Sequence, residues 1–129
     1  MAHKILIADD DRDLLTSLRV RLEAEGFKVL CVQDSYQAVE QARKAQPDVL
    51  ILDINMPAGD GFSVQDRVSK MTDLNGIPVI YLTGERSVRV TELAKAHHAF
   101  ALIFKPFETK ELLSVVRAAA TAPRPVASV

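Results

Sequence analysis

Four consecutive apolar residues lead directly into an aspartate in the segment Val49-Leu50-Ile51-Leu52-Asp53-Ile54-Asn55-Met56-Pro57. A short, unbroken apolar run is typical of a strand that is buried on both faces of a parallel sheet. Because Pro57 cannot continue a central strand, we predict that the strand ends near Asp53. The Asp53 carboxylate is therefore expected at the C-terminal edge of the sheet, where open α/β folds bind their ligands.

Apolar runs alternate with amphipathic segments along the rest of the chain. Four further runs predict strands at Ile5–Ala8, Phe27–Val32, Ile77–Leu82 and Phe100–Phe104. Apolar residues at helical spacing predict five helices, of which the last runs from Glu108 to about Ala120. Short strand–helix units require parallel strands with right-handed crossovers, which places helices on both faces of the sheet. We therefore predict an α/β fold with a doubly wound, five-stranded parallel sheet and five helices.

Size and composition are those of one globular domain. The chain has 129 residues, of which 48% are hydrophobic, and a net charge of −1. This charge provides no basic field for direct nucleic-acid binding. The chain lacks an apolar segment long enough to cross a bilayer, and its N-terminus lacks a signal-peptide core, so we expect a cytoplasmic protein without membrane association. Cys31 is the only cysteine, which excludes a disulfide within the chain, and we expect it to be buried.

Polar side chains follow the predicted strands at the points where the strands end. The set comprises three carboxylates, one hydroxyl and one ammonium group: Asp9, Asp10, Asp53, Thr83 and Lys105. Clustered carboxylates repel one another unless a cation lies among them, and hard oxygen ligands favour Mg²⁺. An aspartate can also attack phosphorus, a step that depends mainly on positioning and charge neutralisation. The strand ends thus predict a magnesium-dependent phosphoryl-transfer site.

Five short motifs, occurring in one order, resemble the receiver domain of the two-component response regulators. They are Asp9-Asp10, Asp53 with Met56-Pro57, Asp60-Gly61, Thr83-Gly84 and Lys105-Pro106-Phe107. Each motif is weak alone, but the five together at the expected strand ends are specific. The resemblance covers Lys4 to about Ala120, so we predict a receiver domain at 1–120 and a tail or linker at 121–129. It implies a flavodoxin-like sheet of strand order 2-1-3-4-5 and a cis peptide bond between Lys105 and Pro106.

The resemblance also implies a signalling role rather than an enzyme with a separate substrate. A histidine kinase or histidine phosphotransfer protein would phosphorylate Asp53, while Thr83 and Lys105 hold phosphoryl oxygens. The implied Mg²⁺ ligands are Asp9, Asp10, Asp53 and the backbone carbonyl of Asn55. A conformational change would relay the signal, either to an output domain beyond Val129 or through a homodimer formed by the fourth helix, fifth strand and fifth helix.

Two positions beside the site are expected to modulate the lifetime of the phosphoryl group. Asn55 and Glu85 lie two residues after Asp53 and Thr83, respectively. In receivers, these positions flank the phosphoryl group and influence how long it survives. Because polar side chains can orient a hydrolytic water, we expect phosphorylation to be short-lived and self-limiting.

One position departs from the receiver pattern. Receivers usually carry Tyr or Phe three residues before the lysine, and its rotation is coupled to the threonine hydroxyl; here the residue is Leu102. Alternation along a strand places Phe100 and Phe104 on the same face as Leu102, so either ring is a candidate substitute. The phosphoryl chemistry is unaffected, but the usual switching mechanism does not apply unchanged.

Three other functions, and a purely structural role for the aspartates, are alternatives to this assignment. A pseudo-receiver would keep the fold as a protein-interaction module without being phosphorylated, and Leu102 is compatible with that function. An aspartate-nucleophile phosphatase would be expected to carry a second acid where this chain has Asn55. A flavodoxin-type flavin binder would need a phosphate-binding loop after Ile5–Ala8, which is lacking. Finally, aspartates after the first strand could simply cap a helix, the role that we predict for Asp11.

Overall fold

The computed structural model describes residues 2–57 and 59–123. Five strands form the main sheet: β1 (Lys4–Ala8), β2 (Lys28–Val32), β3 (Val49–Asp53), β4 (Val79–Thr83) and β5 (Ala101–Phe104). Five helices follow them in alternation: α1 (Arg12–Ala24), α2 (Ser35–Ala45), α3 (Gly61–Ser69), α4 (Val88–Ala96) and α5 (Thr109–Thr121). The predicted alternation of strands and helices is confirmed, with boundaries that differ by one or two residues.

The sheet has the order β2-β1-β3-β4-β5, and every neighbouring pair is parallel. This confirms the doubly wound, flavodoxin-like fold. All five residues of β3 are buried, because β3 pairs with β1 and β4 along its edges and is covered on both faces. By contrast, β2 lies at the edge of the sheet and begins with the exposed Lys28. The apolar run before Asp53 is therefore the centre of the molecule.

Alternating side chains divide the core into two layers. Leu50 and Leu52 pack with buried residues of α2, α3 and α4 on one face of the sheet. Val49 and Ile51 pack with residues of α1 and α5 on the other face. Each fully buried aliphatic side chain contributes roughly 1.5–3 kcal/mol relative to exposure, so the two layers hold the strand ends in fixed positions.

Side-chain caps begin four of the five helices. Asp11, Asp34, Asp60 and Ser87 each accept a hydrogen bond from a backbone N–H in the first turn of α1, α2, α3 and α4, respectively. The predicted capping role of Asp11 is confirmed, since its carboxylate accepts from the N–H groups of Asp13 and Leu14. Capping therefore accounts for Asp11 but not for Asp9 or Asp10.

Three local features differ from the sequence expectations. Asn55–Met56 and Gly59–Asp60 form a small antiparallel ladder, which is too short to leave a periodic pattern. A 3₁₀ turn at Thr72–Leu74 follows α3. Cys31 is only partly buried, not buried as predicted, because β2 has no neighbour on its outer side.

The C-terminal boundary stays a prediction. Helix α5 extends to Thr121, and Ala122 and Pro123 follow it. Most of the predicted tail, residues 124–129, lies outside the described residues. Among the helices of residues 2–57 and 59–123, none combines the length and the apolar character that spanning a membrane requires.

Candidate functional site

Three carboxylates converge at the C-terminal edge of the sheet. Asp9 and Asp10 follow β1, and Asp53 ends the adjacent strand β3. Each of the three offers a carboxylate oxygen within 4.8 Å of the others. Asp9 is completely buried and Asp53 is 6% exposed, whereas Asp10 is exposed to solvent. The cluster thus has a buried floor and one acid at its open side.

Lys105 brings a positive charge to this cluster from the end of β5. Its Nζ donates to Oδ2 of Asp9 at 2.8 Å and lies 3.7 Å from Oδ2 of Asp53. Burial lowers the pKa of Lys105, but its hydrogen bond to Asp9 and the charges of Asp53, Asp9 and Asp10 raise it further, so the net pKa lies above its ordinary value. Lys105 therefore stays charged. The peptide bond to Pro106 is cis, as the resemblance implied.

The negative charge around Asp53 is greater than the single positive charge of Lys105 can neutralise. Burial and, next, the charge of Asp9 raise the pKa of Asp53 to about 6. The charge of Lys105 and the N–H of Asn55, which donates to Oδ1 at 3.2 Å, act in the opposite direction. An additional cation would relieve this excess negative charge. The donor set, three carboxylates with an open side, fits a hard divalent ion such as Mg²⁺.

Asp53→Asn is expected to stabilise the metal-free fold at neutral pH. The folded state binds the Asp53 proton more tightly than the unfolded chain does, so the stability of the wild type falls as pH rises from about 4 to above the folded pKa of about 6. Asparagine has no carboxyl group that titrates, so the free energy of unfolding of the variant should exceed that of the wild type by about 1–3 kcal/mol at pH 7–8. This difference should close toward pH 4. Urea unfolding of both proteins in EDTA across this range measures the gap. A gap of constant size would contradict the account.

Thr83 lies beside Asp53 at the end of β4. Leu82, the residue before it, is the register partner of Asp53 across the β3–β4 pair. Thr83 is completely buried, and its Oγ1 accepts from the N–H of Glu85 at 3.0 Å. Its carbonyl accepts from the N–H of Lys105 at 2.7 Å. The threonine is thus fixed both to the loop that follows β4 and to the strand end that carries Lys105.

Gly61 permits close approach of α3 to the backbone of Asp53. Its N–H donates to the carbonyl of Ile54 at 3.0 Å. A Cβ at this position would lie 2.7 Å from the carbonyl oxygen of Asp53 and 3.2 Å from the ring of Tyr81. The Asp60-Gly61 motif therefore has two structural roles, since Asp60 caps α3 and Gly61 leaves room beneath the predicted phosphoacceptor.

The structure places the predicted modulatory residues in different environments. Asn55 is exposed beside Asp53. The carboxylate of Glu85 accepts from the Ser87 hydroxyl at 2.6 Å and lies 3.4 Å from the guanidinium of Arg89, so it is directed toward the start of α4. Leu102 is partly buried and packs against the core layer that contains α4.

Two sets of side-chain contacts were not predicted. The Tyr81 hydroxyl donates to Oε1 of Gln65, whose amide nitrogen donates to the carbonyl of His97 at 2.6 Å. This chain of hydrogen bonds joins β4 and α3 to the end of α4. Separately, the guanidinium of Arg86 lies on the ring of Phe104. Neither set has a periodic signal in the sequence, because each joins residues from different elements.

Comparison with known proteins identifies the class to which this fold and edge cluster belong. The family model of the response regulator receiver domain matches residues 5–117. The chain therefore belongs to the response regulator receiver domain family, which is a family of signalling domains.

Solved structures of receivers resemble the whole domain. The chemotaxis protein CheY4 of Vibrio cholerae is 29% identical with a TM-score of 0.86, and the match covers 92% of this chain and 99% of that one. The non-phosphorylated HemR receiver domain of Leptospira biflexa is 26% identical with a TM-score of 0.87, covering 97% and 99% of the two chains. The beryllofluoride-activated receiver domain of RstA from Klebsiella pneumoniae is 25% identical with a TM-score of 0.82, covering 92% and 99%.

Proposed function

We propose that this receiver domain is a phosphoacceptor in a two-component system and that Asp53 receives the phosphoryl group. The observation that carries the proposal is the surroundings of the Asp53 carboxylate, which lies 3.7 Å from the Lys105 ammonium and within a cluster of three acids. A purely structural carboxylate would gain nothing from two further acids so close to it. A site that handles a phosphoryl group and a divalent ion explains why all of these charges occur together.

In this proposal a carboxylate oxygen of Asp53 is the nucleophile. It forms a bond to phosphorus as the phosphorus–nitrogen bond of a phosphohistidine breaks, and the imidazole leaves with the electron pair. Lys105 is placed to neutralise charge on the transferred group, since its Nζ already lies between Asp9 and Asp53. The Thr83 hydroxyl, at the neighbouring strand end, is proposed to bind another phosphoryl oxygen.

Asp9, Asp10, Asp53 and the backbone carbonyl of Asn55 are proposed to hold Mg²⁺. When bound, the ion supplies positive charge that lowers the pKa of Asp53 and neutralises phosphoryl oxygens. The chain's own contribution is to hold Asp9 in place through Lys105 and through the N–H of Asp11, which donates to Oδ1 of Asp9 at 2.9 Å. Asp10 remains exposed at the open side of the cluster.

Mg²⁺ is expected to raise the stability of the wild type and to have no such effect on Asp10→Asn. At a concentration about ten times the dissociation constant, a bound ion adds about 1.4 kcal/mol to the free energy of unfolding. Thermal unfolding with and without Mg²⁺ measures the difference. Asp11→Asn is the matched control, because asparagine caps a helix as well as aspartate and Asp11 is outside the cluster. An equal Mg²⁺ response in Asp10→Asn would remove this residue from the site.

The partners and the lifetime of the modification remain part of the proposal. The phosphoryl donor is expected to be a cytoplasmic histidine kinase or histidine phosphotransfer protein. The signal is expected to pass to an output domain or to a second copy of this domain. Phosphorylation should shift an existing two-state equilibrium by attracting the ends of β4 and β5 toward Asp53. Asn55 and Glu85 are proposed to limit the lifetime of the phosphoryl group; a phosphorylated form that survives for days would argue against this.

The test is whether the wild-type protein gains the mass of one phosphoryl group when it is incubated with acetyl phosphate. The gain is expected with Mg²⁺ and should be lost when EDTA is present. One observation favours the pseudo-receiver alternative. The partly buried Leu102 stands where receivers usually have the aromatic residue that takes part in switching. A chain that gains no phosphoryl group at saturating acetyl phosphate and Mg²⁺ would contradict the phosphoacceptor proposal and favour that alternative.

A further inference from the structure

Arg86 and Phe104 join two segments that border the proposed phosphorylation site. The guanidinium carbon of Arg86 lies 4.7 Å from the centre of the Phe104 ring. Phe104 is the last residue of β5 and the register partner of Thr83. Arg86 follows Thr83 by three residues, in the loop between β4 and α4. The contact therefore fastens the loop after Thr83 to the strand end that carries Lys105.

The ring is the main partner of the Arg86 cation. The neighbouring Glu85 carboxylate is engaged by Ser87 and Arg89. Within the part of the chain that the structure describes, Arg86 forms no ion pair with a carboxylate, and its side chain is exposed. A cation–π contact at an exposed site is weak. An anion placed nearby can therefore compete with the ring for the guanidinium.

Phe104 is also the aromatic residue whose position in the sheet is coupled to that of Thr83, because the two are register partners. Leu102 packs into the core layer beside α4 and offers no ring. Phe100, the other candidate from the sequence, precedes β5, and its N–H bonds to the carbonyl of Val79 at the opposite end of β4. Of these two aromatic residues, only Phe104 is paired with the threonine in the sheet.

We propose that the contact between Arg86 and Phe104 is a phosphorylation-sensitive latch, made while Asp53 is unmodified and broken when Asp53 carries a phosphoryl group. The inference rests on the proposed function. The Thr83 hydroxyl is held by the N–H of Glu85, so its transfer to a phosphoryl oxygen releases the loop that also carries Arg86. The added negative charge attracts the guanidinium, whereas Phe104 stays paired in β5. Arg86 is thus a positioning residue for the loop rather than a catalytic one.

Nuclear magnetic resonance can follow the latch directly, because an aromatic ring shifts the resonances of a side chain that lies on its face. In the metal-free protein, the Arg86 side-chain protons should be shifted upfield, and Phe104→Leu should abolish the shift. Addition of Mg²⁺ and beryllofluoride, a stable mimic of an aspartyl phosphate, should abolish it in the wild type as well. Phe100→Leu is the matched control, since this exposed residue precedes the same strand and its ring is not the one under Arg86.

The fluorine spectrum of the same samples separates failure of the latch from failure of the proposed function. A bound beryllofluoride resonance that is lost in Asp53→Asn reports occupancy of Asp53. If that resonance is present and the Arg86 shift persists, the latch is wrong while the proposed function stands. If no bound resonance appears at saturating reagent, both fall. An upfield shift that survives Phe104→Leu would also overturn the latch, because another group would then be its source.

Discussion

Asp53→Asn is expected to lose phosphorylation by acetyl phosphate completely, to the detection limit of intact-mass measurement. The amide of asparagine has nearly the shape of the carboxylate but lacks the charge and the nucleophilic oxygen that the transfer requires. The variant should remain folded, because Lys105 keeps its hydrogen bond to Asp9 and the crowding of negative charge decreases. Loss of phosphorylation would therefore report the chemistry of residue 53 rather than a loss of structure.

Asp60→Asn is the matched control for this prediction. Asp60 is also an aspartate after the β3 strand, and it caps α3 by accepting from the N–H of Ser63 at 2.8 Å. Asparagine preserves that cap, so the control should be phosphorylated to the same extent as the wild type. A phosphoryl group gained by Asp53→Asn at the wild-type rate would place the acceptor elsewhere in the chain.

Gly61→Ala is expected to have the second largest effect, on both stability and phosphorylation. The new methyl group would lie 2.7 Å from the Asp53 carbonyl oxygen, a distance that only a backbone shift can relieve. Overpacking of this kind costs about 1–3 kcal/mol. Because the displaced backbone carries the phosphoacceptor, the rate of phosphorylation by acetyl phosphate should also fall, by roughly tenfold to a hundredfold. Urea unfolding and time-resolved intact mass measure the two effects.

Gly84→Ala provides the stability control for Gly61→Ala. A Cβ at Gly84 meets no heavy atom within 4 Å, so the change in the free energy of unfolding should stay within about 0.5 kcal/mol. Equal stability losses in the two variants would show that the close approach of α3 to Asp53 does not constrain the site.

The sequence predicts the central strand and the convergence of charges for a physical reason. An apolar run that ends in Asp53 needs burial on both faces, and parallel strands bring their C-terminal ends to one edge. Those two rules place Asp9 and Asp53 at the same edge of the sheet without any contact information. The strand order and the cis bond before Pro106 came instead from the resemblance to receivers, since no local pattern specifies them.

Contacts between side chains of different elements could not be predicted from these rules. The stacking of Arg86 on Phe104 depends on how one loop folds back onto a neighbouring strand. Lys28 predicts that β2 lies at the edge of the sheet, but the degree to which this position exposes Cys31 is set by the packing around the strand. The raised pKa of Asp53 depends on its burial and on the position of Asp9. Each of these properties is set by tertiary structure rather than by spacing along the chain.

The most direct test of the central claim is a crystal structure of the protein with Mg²⁺ and beryllofluoride. The account predicts beryllium bonded to a carboxylate oxygen of Asp53, the ion among Asp9, Asp10 and Asp53, and the Lys105 ammonium within hydrogen-bond distance of a fluoride. A structure obtained at saturating reagent in which Asp53 is unmodified, or in which the ion binds away from these three carboxylates, would contradict it.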